Sequence, residues 1–249
     1  PMHEIGHFIG GRHVVGSSGR ASNVYNPATG EVQATVALAS NEEMRAAVEN
    51  AKAAQPKWAA TNPQRRARVF FKFVELLNKH MDELAVMLSK EHGKTVEDSK
   101  GDIVRGLEVC EFVCGIPHLQ KGEFTEGAGP AIDMYSMRQA VGIGAGITPF
   151  HCPARIPTGM VAPATACGNA FILKHSERDP SVPMRLAELT IEAGLPAGIL
   201  NVVNGDKTAV DALLTDPDIG AVSFVGSTPI ARYVYGTAAM NGKRAQCFG

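Results

Sequence analysis

Long apolar runs are missing from this chain of 249 residues: none approaches the roughly 20 residues that a bilayer-crossing helix requires. Blocks of like charge are missing too. Lys and Arg number 24, Asp and Glu 25, and the net charge is −1, so the composition offers no footing for a nucleic acid. Residues 1–11 lack the basic start and apolar stretch of a secretory signal. Pro1 reads as what remains when an initiator Met is removed, so the start is expected to be native. Cysteine is scarce and odd in number. Cys110, Cys114, Cys152, Cys167 and Cys247 have no framework spacing, which argues against a disulfide scaffold and for a reducing, cytoplasmic location. Cys110 and Cys114 lie one helical turn apart, but no second ligand pair follows, so core thiols are expected. His3-Glu4-Ile5-Gly6-His7 fits the letters of a zinc-protease motif. Gly6 interrupts it and no amphipathic helix surrounds it, so no metal is expected.

What is present has the balance of a globular protein, 45% apolar and 20% charged, long enough for one large domain or two modest ones. Residues 8–40 read as short strands and turns. Phe8-Ile9 running into Gly10-Gly11 is a hairpin signal, and residues 26–31 are turn chemistry between extended runs near Val24 and at 32–36. Three helices are predicted next. Ser40 caps the first, with Glu42 and Glu43 in its first turn. The second opens at Pro63 and continues to Gly93 on a stripe of Val69, Phe73, Leu76, Leu77, His80 and Leu84. The third spans about 95–114.

Beyond residue 120 the texture changes. Extended segments cover 123–131 and 133–139, and then strands and helices alternate. Strands are predicted at 141–148, 170–174, 199–203 and 221–225, helices at 156–167, 183–193, 207–214 and 228–240. The fold class expected is α/β: a Rossmann-like parallel sheet with helices on both faces, preceded by a helical and β-hairpin N-terminal region. Ligands of such sheets bind beyond the carboxyl ends of the strands. Those ends are 148–151, 174–177, 204–205 and 226–227. Lys174, Ser176 and Glu177 put a cation, a hydroxyl and a carboxylate on one loop, and a carboxylate that accepts from ribose hydroxyls is a usual device for NAD. Gly226-Ser227-Thr228 opens a helix whose N–H groups suit a pyrophosphate. Gly142, Gly144 and Gly146 imitate a dinucleotide fingerprint. They lie inside a strand, however, and Thr148-Pro149 stands where a helix should open, so close packing is the simpler account.

Five segments carry a specific resemblance. Asn26-Pro27-Ala28-Thr29-Gly30-Glu31, Ile147-Thr148-Pro149-Phe150, residues 167–174, Glu192-Ala193-Gly194-Leu195-Pro196 and Phe224-Val225-Gly226-Ser227-Thr228 are similar, in order and spacing, to the aldehyde dehydrogenase superfamily. Ser176-Glu177-Arg178-Asp179-Pro180 and Asp133-Met134-Tyr135-Ser136 look most like its CoA-acylating branch of methylmalonate-semialdehyde dehydrogenases, N-terminal half only. The resemblance implies NAD as cofactor and a semialdehyde and CoA as substrates. It implies that Thr148 and Phe150 line the dinucleotide cleft, that Lys174 and Glu177 hold the adenosine ribose with Arg178 beside it, and that Ser227 meets the pyrophosphate. Arg105 falls where the branch has an arginine facing the substrate carboxylate. The reaction implied is covalent: a cysteine thiolate attacks the aldehyde, hydride leaves to NAD, and the thioester passes to CoA.

Two departures qualify that picture. No cysteine here matches the family's nucleophile motif, which lies beyond residue 249, so the chain alone is expected to be inactive. His151 occupies the position of the oxyanion-hole Asn, followed by Cys152 and by Arg155 where apolar residues are usual. Cys247 stands where hydrolytic members carry a general-base Glu, which fits the acylating branch. The expected division is residues 1–120 as strands and helices packing on the NAD domain, 121–140 as an extended oligomerisation-type segment, and 141–249 as the dinucleotide-binding core, with the catalytic domain absent. A homo-oligomer or a complementary C-terminal half is the expected protein partner. The other reading is a truncated, non-catalytic NAD-binding paralogue.

Overall fold

The computed structural model describes residues 2–249; the reading of Pro1 as a processed start lies outside them. The chain opens with β1 (Glu4–Ile5) and the hairpin β2 (His7–Ile9) and β3 (Arg12–Val14), turned by Gly10 and Gly11 at φ 65° and 80°. These are strands, so the two histidines of the His3–His7 motif do not share a helix face. Strands β4 (Ala21–Tyr25) and β5 (Val32–Ala37) pair antiparallel, with β1 parallel to β5.

Helix α1 (Asn41–Ala60) begins with a full capping box. The Ser40 hydroxyl accepts from the Glu43 N–H, and the Glu43 carboxylate accepts from the Ser40 N–H. The helix predicted from Pro63 to Gly93 is two helices, α2 (Pro63–Lys79) and α3 (Met81–His92). The break is at His80, which leaves helical geometry (φ −100°, ψ 15°) and bonds Glu83 in the first turn of α3. Its place in the apolar stripe concealed the break, because the stripe resumes in phase after it. Helix α4 (Val96–Cys114) is capped by Thr95.

The extended segments form a two-stranded ribbon, β6 (Phe124–Gly129) and β7 (Ile132–Tyr135). The alternating half follows as β8 (Ile143–Ile147), α5 (Arg155–Ala166), β9 (Ala170–Lys174), α6 (Ser181–Ala193), β10 (Leu200–Val202), α7 (Lys207–Thr215), β11 (Ile219–Val225), α8 (Thr228–Met240) and β12 (Arg244–Phe248). Strand β12 was not predicted: Arg244-Ala245-Gln246 is too polar to read as a core strand, and it lies at the sheet's edge.

One sheet has the order β12-β11-β8-β9-β10-β2-β3. Its first five strands are parallel, and the N-terminal hairpin adds two antiparallel strands beside β10. The chain starts in the middle at β8, moves out through β9 and β10, then returns through α7 to β11 on the other side of β8. Right-handed crossovers in opposite directions place α5 and α6 on one face and α8 on the other. Helices α2 to α6 share a second core around Phe70, Leu77, Leu84, Ile103 and Leu189, while α1 packs on β8, β9 and β10 and against α7. The glycines of β8 have a packing role. A Cβ on Gly146 would lie 2.6 Å from Phe171 Cζ and 2.9 Å from Met160 Sδ.

Candidate functional site

The strand order reverses between β8 and β11, so the loops after those strands leave in opposite directions and open a crevice at their carboxyl ends. The loops after β8, β9 and β11 carry all the predicted cofactor residues. Thr148 and Phe150 follow β8. Lys174 ends β9, with Glu177 and Arg178 just after it. Ser227 follows β11 and caps α8, yet its hydroxyl makes no capping bond among the described residues and is exposed. Lys174 is buried to 6% exposure and its Nζ lies 3.3 Å from Glu177 Oε2, whose side chain is a third exposed. Burial of the ammonium is tolerable because a carboxylate faces it.

Phe150 contacts both an imidazole and a guanidinium. The His92 ring, from the last turn of α3, stacks on it at 4.4 Å and 13°, and Arg178 Cζ sits 4.5 Å from its centroid. Both His92 ring nitrogens are buried without a hydrogen-bond partner, and burial lowers its pKa. A neutral ring is therefore what stacks.

Beneath this stack runs a buried hydrogen-bond chain. Thr148 Oγ1 lies 2.7 Å from His175 Nδ1, and His175 Nε2 lies 2.7 Å from Asp179 Oδ1. Burial depresses the His175 pKa, helped by Lys174, and raises that of Asp179 well above the carboxylate range. Glu91, next to His92, accepts from the Ser181 N–H at 2.9 Å and from its hydroxyl at 2.6 Å, so it caps α6 from outside. Burial pushes its pKa up to about 7 despite those bonds. Asp102 of α4 caps α5 likewise, accepting from the Ala154 and Arg155 N–H groups at 2.9 and 3.3 Å. Sequence reasoning passed over His175, Asp179, Glu91 and Asp102. The one signal was a histidine inside the Lys174–Glu177 loop.

Arg105 does not join the crevice loops directly. It is exposed on α4, between Asp102 and Gly106, both of which contact the start of α5, and it has no ion pair among the described residues. His151 is exposed on the loop between β8 and α5, its carbonyl accepting from Lys94 Nζ at 3.1 Å. Cys152 is half-buried, and burial together with Asp102 raises its pKa. Burial raises the pKa of all five cysteines, the direction opposite to thiolate activation. A separate groove of about 370 Å³ lies elsewhere, lined by residues of β1, β3 and α6, among them His13 and Glu188.

Comparison with known proteins supplies the context. The model described as the aldehyde dehydrogenase family matches residues 14–247. A malonate-semialdehyde dehydrogenase of Pseudomonas aeruginosa is 48% identical over 248 residues, covering 100% of this chain and 50% of that protein. A mitochondrial acylating methylmalonate-semialdehyde dehydrogenase of Arabidopsis thaliana is 49% identical, with 97% of this chain and 40% of that protein covered. Among solved structures, a Sinorhizobium meliloti 1021 protein assigned as a methylmalonate-semialdehyde dehydrogenase, complexed with NAD, superposes with a TM-score of 0.99 at 81% identity. That match covers 100% of this chain and 51% of the other. The chain spans about half the length of the curated relatives it matches.

Proposed function

Because the chain belongs to the aldehyde dehydrogenase family, we propose that it supplies the dinucleotide-binding portion of an NAD-dependent, CoA-acylating semialdehyde dehydrogenase. The observation that carries this is the reversal of strand order between β8 and β11, with Lys174, Glu177 and Ser227 at that end of the sheet. The residues present suit the cofactor. Glu177 is a partly exposed carboxylate steadied by a buried lysine, and the start of α8 offers N–H groups and an uncommitted hydroxyl.

In this reading Glu177 and Lys174 bond the ribose hydroxyls, with Arg178 beside them. Ser227 and the first turn of α8 hold the pyrophosphate. Thr148 and Phe150 form the crevice wall, and the stacked His92 keeps the Phe150 ring from turning. Arg105 pairs with the carboxylate of a malonate or methylmalonate semialdehyde, where a planar guanidinium suits bidentate contact. His151 offers one N–H donor where charge develops on the aldehyde oxygen. NAD, when bound, supplies the hydride acceptor. The relatives named above support this substrate class. Residues 141–249 then form the cofactor core, 1–120 pack on and extend it, and 121–140 serve assembly with a second copy or with a C-terminal half.

A second reading is a non-catalytic NAD-binding paralogue, supported by an exposed histidine, His151, at the position where the family places its oxyanion-hole Asn. Calorimetric titration with NAD and with AMP tests both readings. Similar affinities for the two are expected, since the contacts assigned lie at the adenosine end, and Glu177→Ala should weaken both. Binding of neither ligand sinks the proposal. Formation of NADH from semialdehyde and CoA is not expected of the 249-residue chain. Turnover that disappears in Cys152→Ser would instead reveal a relocated nucleophile.

A further inference from the structure

Taking the cofactor reading as given, we propose that His175 is a positioning residue, which together with a protonated Asp179 clasps the β8 and β9 loops that carry the crevice. The two loops meet through one buried chain of atoms, Thr148 Oγ1, His175 Nδ1, His175 Nε2 and Asp179 Oδ1, with both links at 2.7 Å. With the ring held neutral by burial, two arrangements of protons satisfy it. In the first, Asp179 is ionised and accepts from Nε2–H, while Nδ1 accepts from the Thr148 hydroxyl. In the second, Asp179 carries a proton and donates to Nε2, while Nδ1–H donates to Thr148.

The geometry selects the second. Asp179 Oδ2 is buried and has no hydrogen-bond partner, so an ionised carboxylate would leave half its charge unsolvated. The alternative leaves one neutral hydroxyl hydrogen without an acceptor, which costs less. The surrounding charges divide. Glu91 from α3 and Asp102 from α4 oppose ionisation, Lys94 ahead of α4 and Arg178 on the loop itself favour it, and Lys174 and Glu177 face His175. Burial outweighs them and keeps the proton on the pair.

Each loop then depends on the other. Thr148 and Phe150 sit on one, Lys174, Glu177 and Arg178 on the other, and the clasp fixes their separation. Loss of the Asp179 proton at alkaline pH moves the ring proton from Nδ1 to Nε2 and leaves an unsolvated charge at Asp179 Oδ2, and drawing that charge toward water strains the clasp, so cofactor affinity should fall there. Asp179→Asn keeps an amide donor for Nε2 and cannot ionise, so its affinity should match the unaltered protein at pH 7 and stay level at higher pH.

The test uses the intact chain with 15N-labelled histidine and NAD titrations from about pH 6.5 to about pH 10, a span that includes the Asp179 carboxyl, raised by burial to about 9. Nδ1-protonated His175 at pH 7 is expected, with an alkaline loss of NAD affinity that is absent in Asp179→Asn. Thr148→Val, which keeps shape and removes the hydroxyl, should weaken NAD about tenfold, the scale of one buried hydrogen bond. His175→Gln serves as a second variant should a larger change misfold. Nε2-protonated His175 at pH 7, or identical pH profiles in the unaltered protein and Asp179→Asn, would overturn the inference. If no form binds NAD, the reading of the crevice fails, while the ring-nitrogen spectrum still decides the clasp.

Discussion

Glu91 couples stability to pH close to neutrality. Its ordinary pKa of 4.5 is raised to about 7 in the folded protein, chiefly by burial. Below 4.5 it is neutral folded or unfolded and costs nothing. Between 4.5 and 7 the unfolded chain sheds the proton that the folded chain keeps, so stability falls as pH rises, and above 7 the loss is complete. Unfolding in urea at pH 5 and pH 8 should show a decline of about 1–3 kcal/mol from this group, flattened in Glu91→Gln. An unchanged slope in the variant would show that Glu91 ionises freely. Legibility at this scale was uneven. The places of Lys174, Glu177 and Ser227 at the strand ends could be read from the strand–helix rhythm. Glu91 and Asp102 could not, because each caps a helix distant in sequence, and periodicity along α3 or α4 says nothing about a neighbour's N-terminus.

Among the elements, β8 shows how a misleading motif arises. Its two glycines, with Gly142 just ahead of the strand, imitate a phosphate loop, but Gly144 and Gly146 lie under the Phe171 ring of the adjacent strand, and the space a side chain would need is taken. Gly146→Ala should therefore destabilise the protein by about 1–3 kcal/mol through overpacking, despite the better strand propensity of alanine. A chemical-denaturation midpoint no lower than that of the unaltered protein would remove the packing account. At the start of α1, Ser40→Ala should cost about 1 kcal/mol by opening the capping box. It should also loosen Glu43, whose carboxylate accepts from the Ser17 N–H and faces the buried ring of His7. Circular dichroism during thermal melting checks the loss. The capping box was visible as Ser40 followed by Glu43, and the strand–helix rhythm of residues 141–240 was visible as alternating apolar runs. The break at His80 and strand β12 were hidden for opposite reasons. One lay within a continuous stripe, and the other carries too few apolar residues to form one.

The whole molecule leaves a projecting ribbon without cover. Strands β6 and β7 present Phe124, Ile132, Met134 and Tyr135 at 53–72% exposure, joined by Met137 just beyond. Apolar side chains gathered on a two-stranded ribbon mark a contact surface. Concentration-dependent association in analytical ultracentrifugation is expected, shifted toward monomer by Ile132→Lys with Tyr135→Ser. A clean monomer at high concentration that binds no apolar dye would count against it. The two ends of the main sheet carry a different consequence. The hairpin of β2 and β3 completes the sheet beside β10, and its Gly10 N–H reaches the Asn201 side chain across 191 positions of sequence. At a synthesis rate of roughly 5–20 residues per second, the first strands leave the ribosome about 10–40 seconds before their neighbour exists. Through that interval His7, Phe8 and Ile9 form an unpaired edge, open to other nascent chains. The strands of this chain that wait longest for their sheet neighbour are therefore β2 and β3, and that wait ends only when the ribosome has passed β10.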